Sequence, residues 1–173
     1  MVAVLDELGV DRADFLGLSL GGLTALQTAI SRPERVGRLA LVSTHYRQDG
    51  RYEEVRTPGW ASPRLPSEAG FREMAAAHAE AAPHPEHFQD VLAKCSAAAP
   101  ADLGWTEDVL RALTAPTLPV IGDSDFVRVE HAAELQRLIA DSRLAVLPAA
   151  THMSVVRQPE LPPMLGRFLA SAS

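Results

Sequence analysis

Ser19 is the residue whose surroundings point most directly to chemistry, because it lies in the pattern Gly-x-Ser-x-Gly. Residues 13–16 before the pattern are strand-like, and apolar residues at helical spacing follow it over 22–30. Such a strand-to-helix turn lifts the serine hydroxyl clear of the sheet and puts the next N–H, that of Leu20, at a helix N-terminus. We predict that Ser19 is a nucleophile and that the Leu20 N–H stabilises an oxyanion. A serine in an ordinary glycine loop is the alternative.

The two glycines of the pattern carry a steric expectation. At so sharp a turn, a side chain two residues before or after the serine would collide with neighbouring backbone. Gly17 and Gly21 occupy those two positions. We therefore expect both to be sterically required.

A serine hydroxyl is a weak nucleophile, so it needs a histidine to take its proton and a carboxylate to orient that histidine. Asp123 and Asp125 follow one apolar strand-like run, and His152 follows the next. The carboxyl ends of parallel strands gather at one edge of a sheet, so these side chains can meet Ser19 there. They are the candidates for the acid and the base.

Alternating strand and helix patterns must position these residues. After a short N-terminal helix and the Ser19 turn, strands are predicted at 37–43, 118–122 and 144–147, with helices near 130–139 and after Pro163. This alternation predicts a parallel sheet with helices on both faces. Pro119 lacks a ladder donor, so it marks either a bulge or a locally weak strand. Stretch 46–114 lacks strand-like runs and holds short helical pieces, two of them capped by Ser67 and Thr106.

The chain resembles the C-terminal part of a serine α/β-hydrolase of the broad esterase, lipase and perhydrolase-like superfamily. The segments that carry the resemblance are 17–22, 116–125 and 147–153, in the order serine, aspartate, histidine. The resemblance implies a partial α/β-hydrolase fold of about four parallel strands flanked by helices, with core segments 1–45 and 115–173 and a helical cap insertion at 46–114. In such proteins the acid is the second aspartate of Gly-Asp-x-Asp, which favours Asp125. Asp123 is then expected to be structural, accepting backbone N–H groups of its loop.

The activity that the resemblance implies is hydrolysis of a small ester-type carbonyl substrate through an acyl-enzyme, with no cofactor or metal. The candidate substrate-binding residues are Leu18, Trp60, Phe71, Trp105 and Met153. Trp60, Phe71 and Trp105, like Met74 and Phe88 of the same stretch, can equally pack the cap helices together. Ester, lactone, carbon–carbon, peracid and acyl-transfer chemistry share this triad, so the substrate stays open.

Composition narrows the functional classes. The 173 residues carry a net charge of -6, which argues against a nucleic-acid or membrane-surface partner. The sequence shows no apolar run of about 18 residues and no basic signal-peptide opening, so we expect a cytoplasmic protein. Cys95 is the only cysteine, which excludes an internal disulfide, and we expect it to be a small buried hydrophobe.

The other histidines have plainer interpretations. His84 and His87 are separated by a proline and lack further ligands, which disfavours a metal site. His45 either reaches the pocket rim or lies in a surface loop, the interpretation we favour. His78 and His131 fall in helical stretches and are expected to be solvated.

The family pattern has about four more strands before the serine turn, and one of their loops supplies a second oxyanion donor. We therefore expect the isolated chain to be impaired by about 100- to 1000-fold. We also expect an unpaired sheet edge that forms a homodimer or accepts a complementing chain. The alternative function is that of a non-catalytic truncated fragment or interaction module.

Overall fold

Four parallel strands form the sheet of the computed structural model, which describes residues 1–57, 59, 62–98 and 105–171. They are β1 (Ala13–Leu18), β2 (Val36–Val42), β3 (Thr117–Gly122) and β4 (Ala145–Leu147), side by side in that order. All three pairings are parallel, so the carboxyl ends of the strands share one edge. The predicted parallel α/β sheet is confirmed.

Helices connect the strands, and two of them begin where the sequence predicts a capping side chain. Ser67 Oγ accepts the N–H of Gly70 at 3.1 Å, and Thr106 Oγ1 accepts that of Val109 at 3.4 Å. In the described residues the α-helices are α1 (Val2–Glu7), α2 (Leu20–Ser31), α3 (Glu53–Arg56), α4 (Glu68–Ala81), α5 (Phe88–Ala98), α6 (Glu107–Arg111), α7 (Val129–Leu138) and α8 (Leu161–Ala170).

The core lies on both faces of the sheet, as the near-continuous apolar run of β2 predicts. Leu39 and Leu41 point to one face, where they pack in a cluster with residues of α2 and α7. Ala40 and Val42 point to the other face and pack with residues of α8. This two-sided burial fixes the register of β2 and holds the carboxyl ends of its neighbours in place.

Pro119 lies inside β3 without a bulge. Its partner is Leu41 of β2, and the pairing runs without a shift from Thr117 to Val120. Thr117 exchanges hydrogen bonds with segment 141–143 on the opposite side, and by strand alternation Pro119 faces that side too. The ladder between β3 and β4 begins only at Val120. The missing donor therefore falls at a gap in the ladder, so the bulge was wrong and the pairing is weak there instead.

Strand β1 lies at the edge of the described sheet. Leu16 and Leu18 on this strand leave 53% and 39% of their surface exposed. Exposed apolar side chains beside an open ladder favour association. A second copy or a complementing chain at this edge remains a prediction.

Helices α3 to α6 lie between β2 and β3, within the stretch predicted as a cap. The division into core and cap remains a prediction. None of the helices in the described part of the chain combines the length and apolarity needed to cross a bilayer.

Candidate active site

Ser19 occupies a strained turn at the carboxyl end of β1. Its φ of 51° and ψ of -115° lie where residues with a side chain are rarely found, and such strain is concentrated at functional positions. The turn is held because Ser19 N–H donates to the carbonyl of Val42 at 2.9 Å, and because α2 begins at the next residue. The N–H of Leu20 thus belongs to the first turn of a helix, where backbone donors lack intrahelical acceptors.

The steric expectation is confirmed for Gly17 and wrong for Gly21. A Cβ on Gly17 would overlap the carbonyl group of Gly21 and lie 2.5 Å from the nitrogen of Gly22, so glycine is needed there. A Cβ on Gly21 would meet nothing within 4 Å, so the expectation for that position was wrong. Gly22 is the second crowded position, because its Cβ would lie against the Thr44 side chain. Gly21 contributes its backbone to the crowding around Gly17.

Asp125 is fully buried just past β3, and its carboxylate accepts three hydrogen bonds. Oδ2 accepts from Ser43 Oγ at 2.5 Å, while Oδ1 accepts from Val127 N at 3.0 Å and contacts His152 Nδ1 at 3.0 Å. Donors of this kind offset the cost of burying a carboxyl group. Of the two candidate acids, the structure brings Asp125 to the histidine. Asp123 is exposed and accepts from the Ser124 hydroxyl at 3.1 Å, not from backbone N–H groups.

His152 lies just beyond β4 and is only 8% exposed. Because Asp125 is an acceptor, Nδ1 carries the proton of this pair and Nε2 is left as the basic nitrogen. The ring of Phe126 stacks on the imidazole at 3.8 Å between centroids and 24° between planes, which restricts its rotation. Ser19 and His152 line the same cavity, and the Ser19 hydroxyl makes no hydrogen bond to any residue that the structure describes. Their catalytic roles remain predictions.

The loop carrying Asp125 is tied to the entry of the predicted cap. Arg64 donates from Nη1 to the backbone carbonyl of Asp125 at 2.7 Å, and its guanidinium lies 4.1 Å from the Tyr52 ring centroid. Tyr52 N–H in turn donates to the Phe126 carbonyl at 3.1 Å. Sequence reasoning missed both Arg64 and Ser43. Ser43 had a usable signal, since it is a polar residue directly after a buried strand.

The cavity beside Ser19 and His152 has a volume of about 370 Å³, within the range of small-molecule sites. Leu18 and Met153, both predicted to bind substrate, lie on its wall, as does Met74 of α4. Phe71 does not line this cavity, because Glu73, Met74 and Ala77 form the face of α4 that does, and Phe71 is 43% exposed.

Two tryptophans were also predicted to bind substrate. Trp105 lies in a separate cavity of about 350 Å³ against α2, where Nε1 donates to Gln27 Oε1 at 2.9 Å. Trp105 is not among the residues that line the Ser19 cavity. Trp60 lies outside the described residues.

Two residues of α5, Cys95 and Phe88, have different surroundings. Cys95 is exposed and lines the Ser19 cavity, so the expectation of a buried thiol was wrong. The reason is that the structure buries no residue of α5, and Cys95 lies on the wall of an open cavity. Phe88 packs against His78 with 5.4 Å between ring centroids.

His131 is buried, so its predicted solvation was wrong. It is 1% exposed on the face of α7 that also buries Ala132 and Leu135, and its ring stacks on Tyr46 at 4.2 Å between centroids. Its Nε2 accepts the N–H of Tyr46 at 3.1 Å. Burial, with a contribution from the Arg47 cation, lowers the pKa of His131 to about 4. His131 is therefore a neutral structural residue at pH 7.

His45 is half-buried after β2 and not in an exposed loop. Burial, followed by the charge of Arg51, lowers the pKa of His45 to about 4. His45 is therefore neutral at pH 7.

The two histidines considered as metal ligands lie on the exposed turn between α4 and α5. Glu86 lies between them, with Oε1 at 3.3 Å from His84 Nδ1 and 3.7 Å from His87 Nε2. All three side chains are exposed and lie outside the set that lines the Ser19 cavity. Their contacts are those of surface histidines beside a carboxylate.

Comparison with known proteins gives a consistent family. A family model described as the alpha/beta hydrolase fold matches residues 1–97. A protein of Rhizobium rhizogenes that carries the provisional name of a carbamate hydrolase is 27% identical over 194 residues, covering all of this chain and 72% of that protein. The match extends beyond the family model to the segments with Asp125 and His152.

Solved structures give the same fold. A meta-cleavage product hydrolase from Pseudomonas fluorescens superposes with a TM-score of 0.72 at 20% identity, over 96% of this chain and 68% of that one. The enol-lactonase from Burkholderia xenovorans superposes with a TM-score of 0.64 at 26% identity, over 98% of this chain and 70% of that one. The chain thus spans about two thirds of each structure.

Proposed function

This chain belongs to the α/β-hydrolase fold family, and from that premise we propose that it is a serine hydrolase that cleaves a small ester-type carbonyl substrate through an acyl-enzyme. The observation that supports this most is the buried Asp125–His152 pair, whose histidine lines the cavity that also contains the strained Ser19. A nucleophile, a base and an orienting acid are the minimum set for this reaction.

In the proposed reaction, Ser19 Oγ attacks the substrate carbonyl carbon and gives its proton to His152 Nε2. Asp125 accepts from Nδ1–H and stabilises the imidazolium that forms, without taking the proton itself. Leu20 N–H donates to the oxyanion of the tetrahedral intermediate. Collapse breaks the bond to the leaving group, which takes the proton from His152. Water then attacks the acyl-enzyme and gives a proton to His152, and collapse of the second tetrahedral intermediate releases the acid and returns the proton to Ser19 Oγ.

The relatives leave more than one bond open to cleavage. Their names describe a carbamate hydrolase, a meta-cleavage product hydrolase and an enol-lactonase. We propose an ester because its cleavage through an acyl-enzyme needs no groups beyond the nucleophile, the base, the orienting acid and the oxyanion donor.

Hydrolysis of p-nitrophenyl butyrate at pH 7.5 tests the proposal. We expect turnover above background that Ser19→Ala abolishes, because the hydroxyl is the attacking group. The matched control is Ser31→Ala, at the other end of the same helix α2, which should keep wild-type turnover. Equal turnover by wild type and Ser19→Ala would refute the nucleophile assignment.

A non-catalytic module is the second candidate, and the exposed edge of β1 favours it. On this account the triad persists without turnover, and the edge binds another chain. Size-exclusion chromatography with light scattering separates the cases: a clean monomer that hydrolyses the ester contradicts the second candidate, whereas an inactive dimer supports it.

A further inference from the structure

Apart from Ser19 and His152, the side chains that line the cavity are apolar, with the exception of Cys95 and one ion pair. Arg157, in the turn that follows His152, pairs with Glu73 of α4 at 2.7 Å between Nη2 and Oε2. Both side chains line the cavity, and 63% and 54% of their surfaces are exposed. We propose that Arg157 is a specificity-determining residue that binds a carboxylate group on the substrate, taking it in exchange for Glu73. This inference rests on the proposed function, since it names the substrate class of the same site.

The contacts of Arg157 leave donors for a second carboxylate. Only Nη2 is engaged by Glu73, and the guanidinium has five N–H donors in a planar fork. Nε and Nη1 make no hydrogen bond to any residue in the described part of the chain. An incoming carboxylate can therefore bind in bidentate fashion, which is the geometry that an arginine favours.

The partner exchange costs little because the existing pair is exposed. Ion pairs open to water contribute little to stability, so a ligand carboxylate can displace Glu73 readily. Glu73 also has a second effect, since its negative charge repels an incoming anion. The proposal therefore predicts that removing the Arg157 charge weakens binding of an anionic substrate and that removing the Glu73 charge strengthens it.

The apolar wall defines the rest of the ligand. Met74, Met153 and Val156 line the space that also contains Ser19 and His152. A short aliphatic chain fits against these side chains, with the scissile carbonyl at Ser19 and a carboxylate at Arg157. The implied substrate class is a short dicarboxylic acid with one carboxyl group free and the other in an ester or a lactone.

The test compares an anionic and a neutral ester, p-nitrophenyl hydrogen glutarate and p-nitrophenyl valerate, at low ionic strength. The readout is the ratio of their kcat/KM values. We expect Arg157→Gln to lower this ratio about tenfold through KM of the anionic ester, because one charge-assisted contact is lost. Glu73→Gln should raise the ratio severalfold. The matched control is Arg72→Gln, which removes an exposed cation that lies on α4, pairs with Glu68 and does not line the cavity. This variant should leave the ratio unchanged.

A binding measurement keeps the inference separate from turnover. Monomethyl glutarate and dimethyl glutarate are titrated into the Ser19→Ala chain by calorimetry, with and without Arg157→Gln. Preference for the monoanion that Arg157→Gln removes supports the inference even if neither ester is hydrolysed, a result that sinks only the proposed function. Hydrolysis of both esters with the same ratio in wild type and Arg157→Gln overturns the inference alone. It is also overturned if Glu73→Gln and Arg157→Gln shift the ratio in the same direction.

Discussion

Removing the Ser43 hydroxyl should lower the free energy of unfolding, because it takes away a buried hydrogen bond to the Asp125 carboxylate. Ser43 Oγ donates to Asp125 Oδ2 at 2.5 Å, and both residues are fully buried. In Ser43→Ala, Oδ2 loses the only hydrogen bond that the described residues give it, whereas Oδ1 keeps Val127 and His152. A buried hydrogen bond to a charged group contributes about 1.5–3 kcal/mol. That is the expected loss in the free energy of unfolding.

The loss can be followed in two assays. For a chain of this length, about 2–4 °C in Tm corresponds to each kcal/mol, so Tm should fall by about 3–12 °C. If the carboxylate shifts away from His152, kcat/KM should also fall, by at most about 10- to 100-fold for the same energy. The control is Ser124→Ala, which removes a solvent-exposed hydroxyl–carboxylate bond from the same loop. An equal Tm for both variants would refute the assigned role of Ser43.

Two further predictions follow from steric fit and from burial. Gly17→Ala should lower the free energy of unfolding by about 1–3 kcal/mol, because the added Cβ would overlap the Gly21 backbone. Gly21→Ala should be neutral or slightly stabilising. Urea unfolding measures both variants, and equal effects would contradict the assigned contacts. The pKa of His131 lies near 4 in the folded chain and near 6.5 unfolded, so the unfolded chain binds more protons between these values. The free energy of unfolding should therefore fall as pH drops from about 6.5 to 4, and His131 contributes up to about 1.4 kcal/mol per pH unit to this slope, in addition to the contribution of His45. His131→Asn should reduce the slope by that amount, while the exposed His87→Asn should leave it unchanged.

The sequence predicted what short-range patterns encode. Apolar runs and helical spacing located the sheet, and because parallel strands end at one edge, the polar residues after β3 and β4 gave His152 and the pair Asp123 and Asp125. The family resemblance then favoured Asp125. The glycine pattern located the turn at Ser19. These features depend on residues close together in the chain, or on one rule of sheet geometry.

Contacts set by tertiary packing were beyond the sequence. The burial of His131 depends on Tyr46, 85 positions away, and the Arg64 contact with Asp125 spans 61 positions. The exposure of Cys95 arises because no described residue of α5 is buried, although the composition of α5 resembles that of a packed helix. The two interpretations of Pro119 could not be separated from the sequence, because the gap in the β3–β4 ladder is not visible in either strand alone.

The most direct test of the central claim is labelling by a fluorophosphonate probe, followed by peptide mapping. Ser19, His152 and Asp125 acting together predict a single phosphonylated peptide containing Ser19, no label in Ser19→Ala, and strongly slowed labelling in His152→Ala and Asp125→Asn. Label on another serine, or labelling of Ser19 at the wild-type rate in His152→Ala, would contradict the claim that these three residues form one catalytic unit.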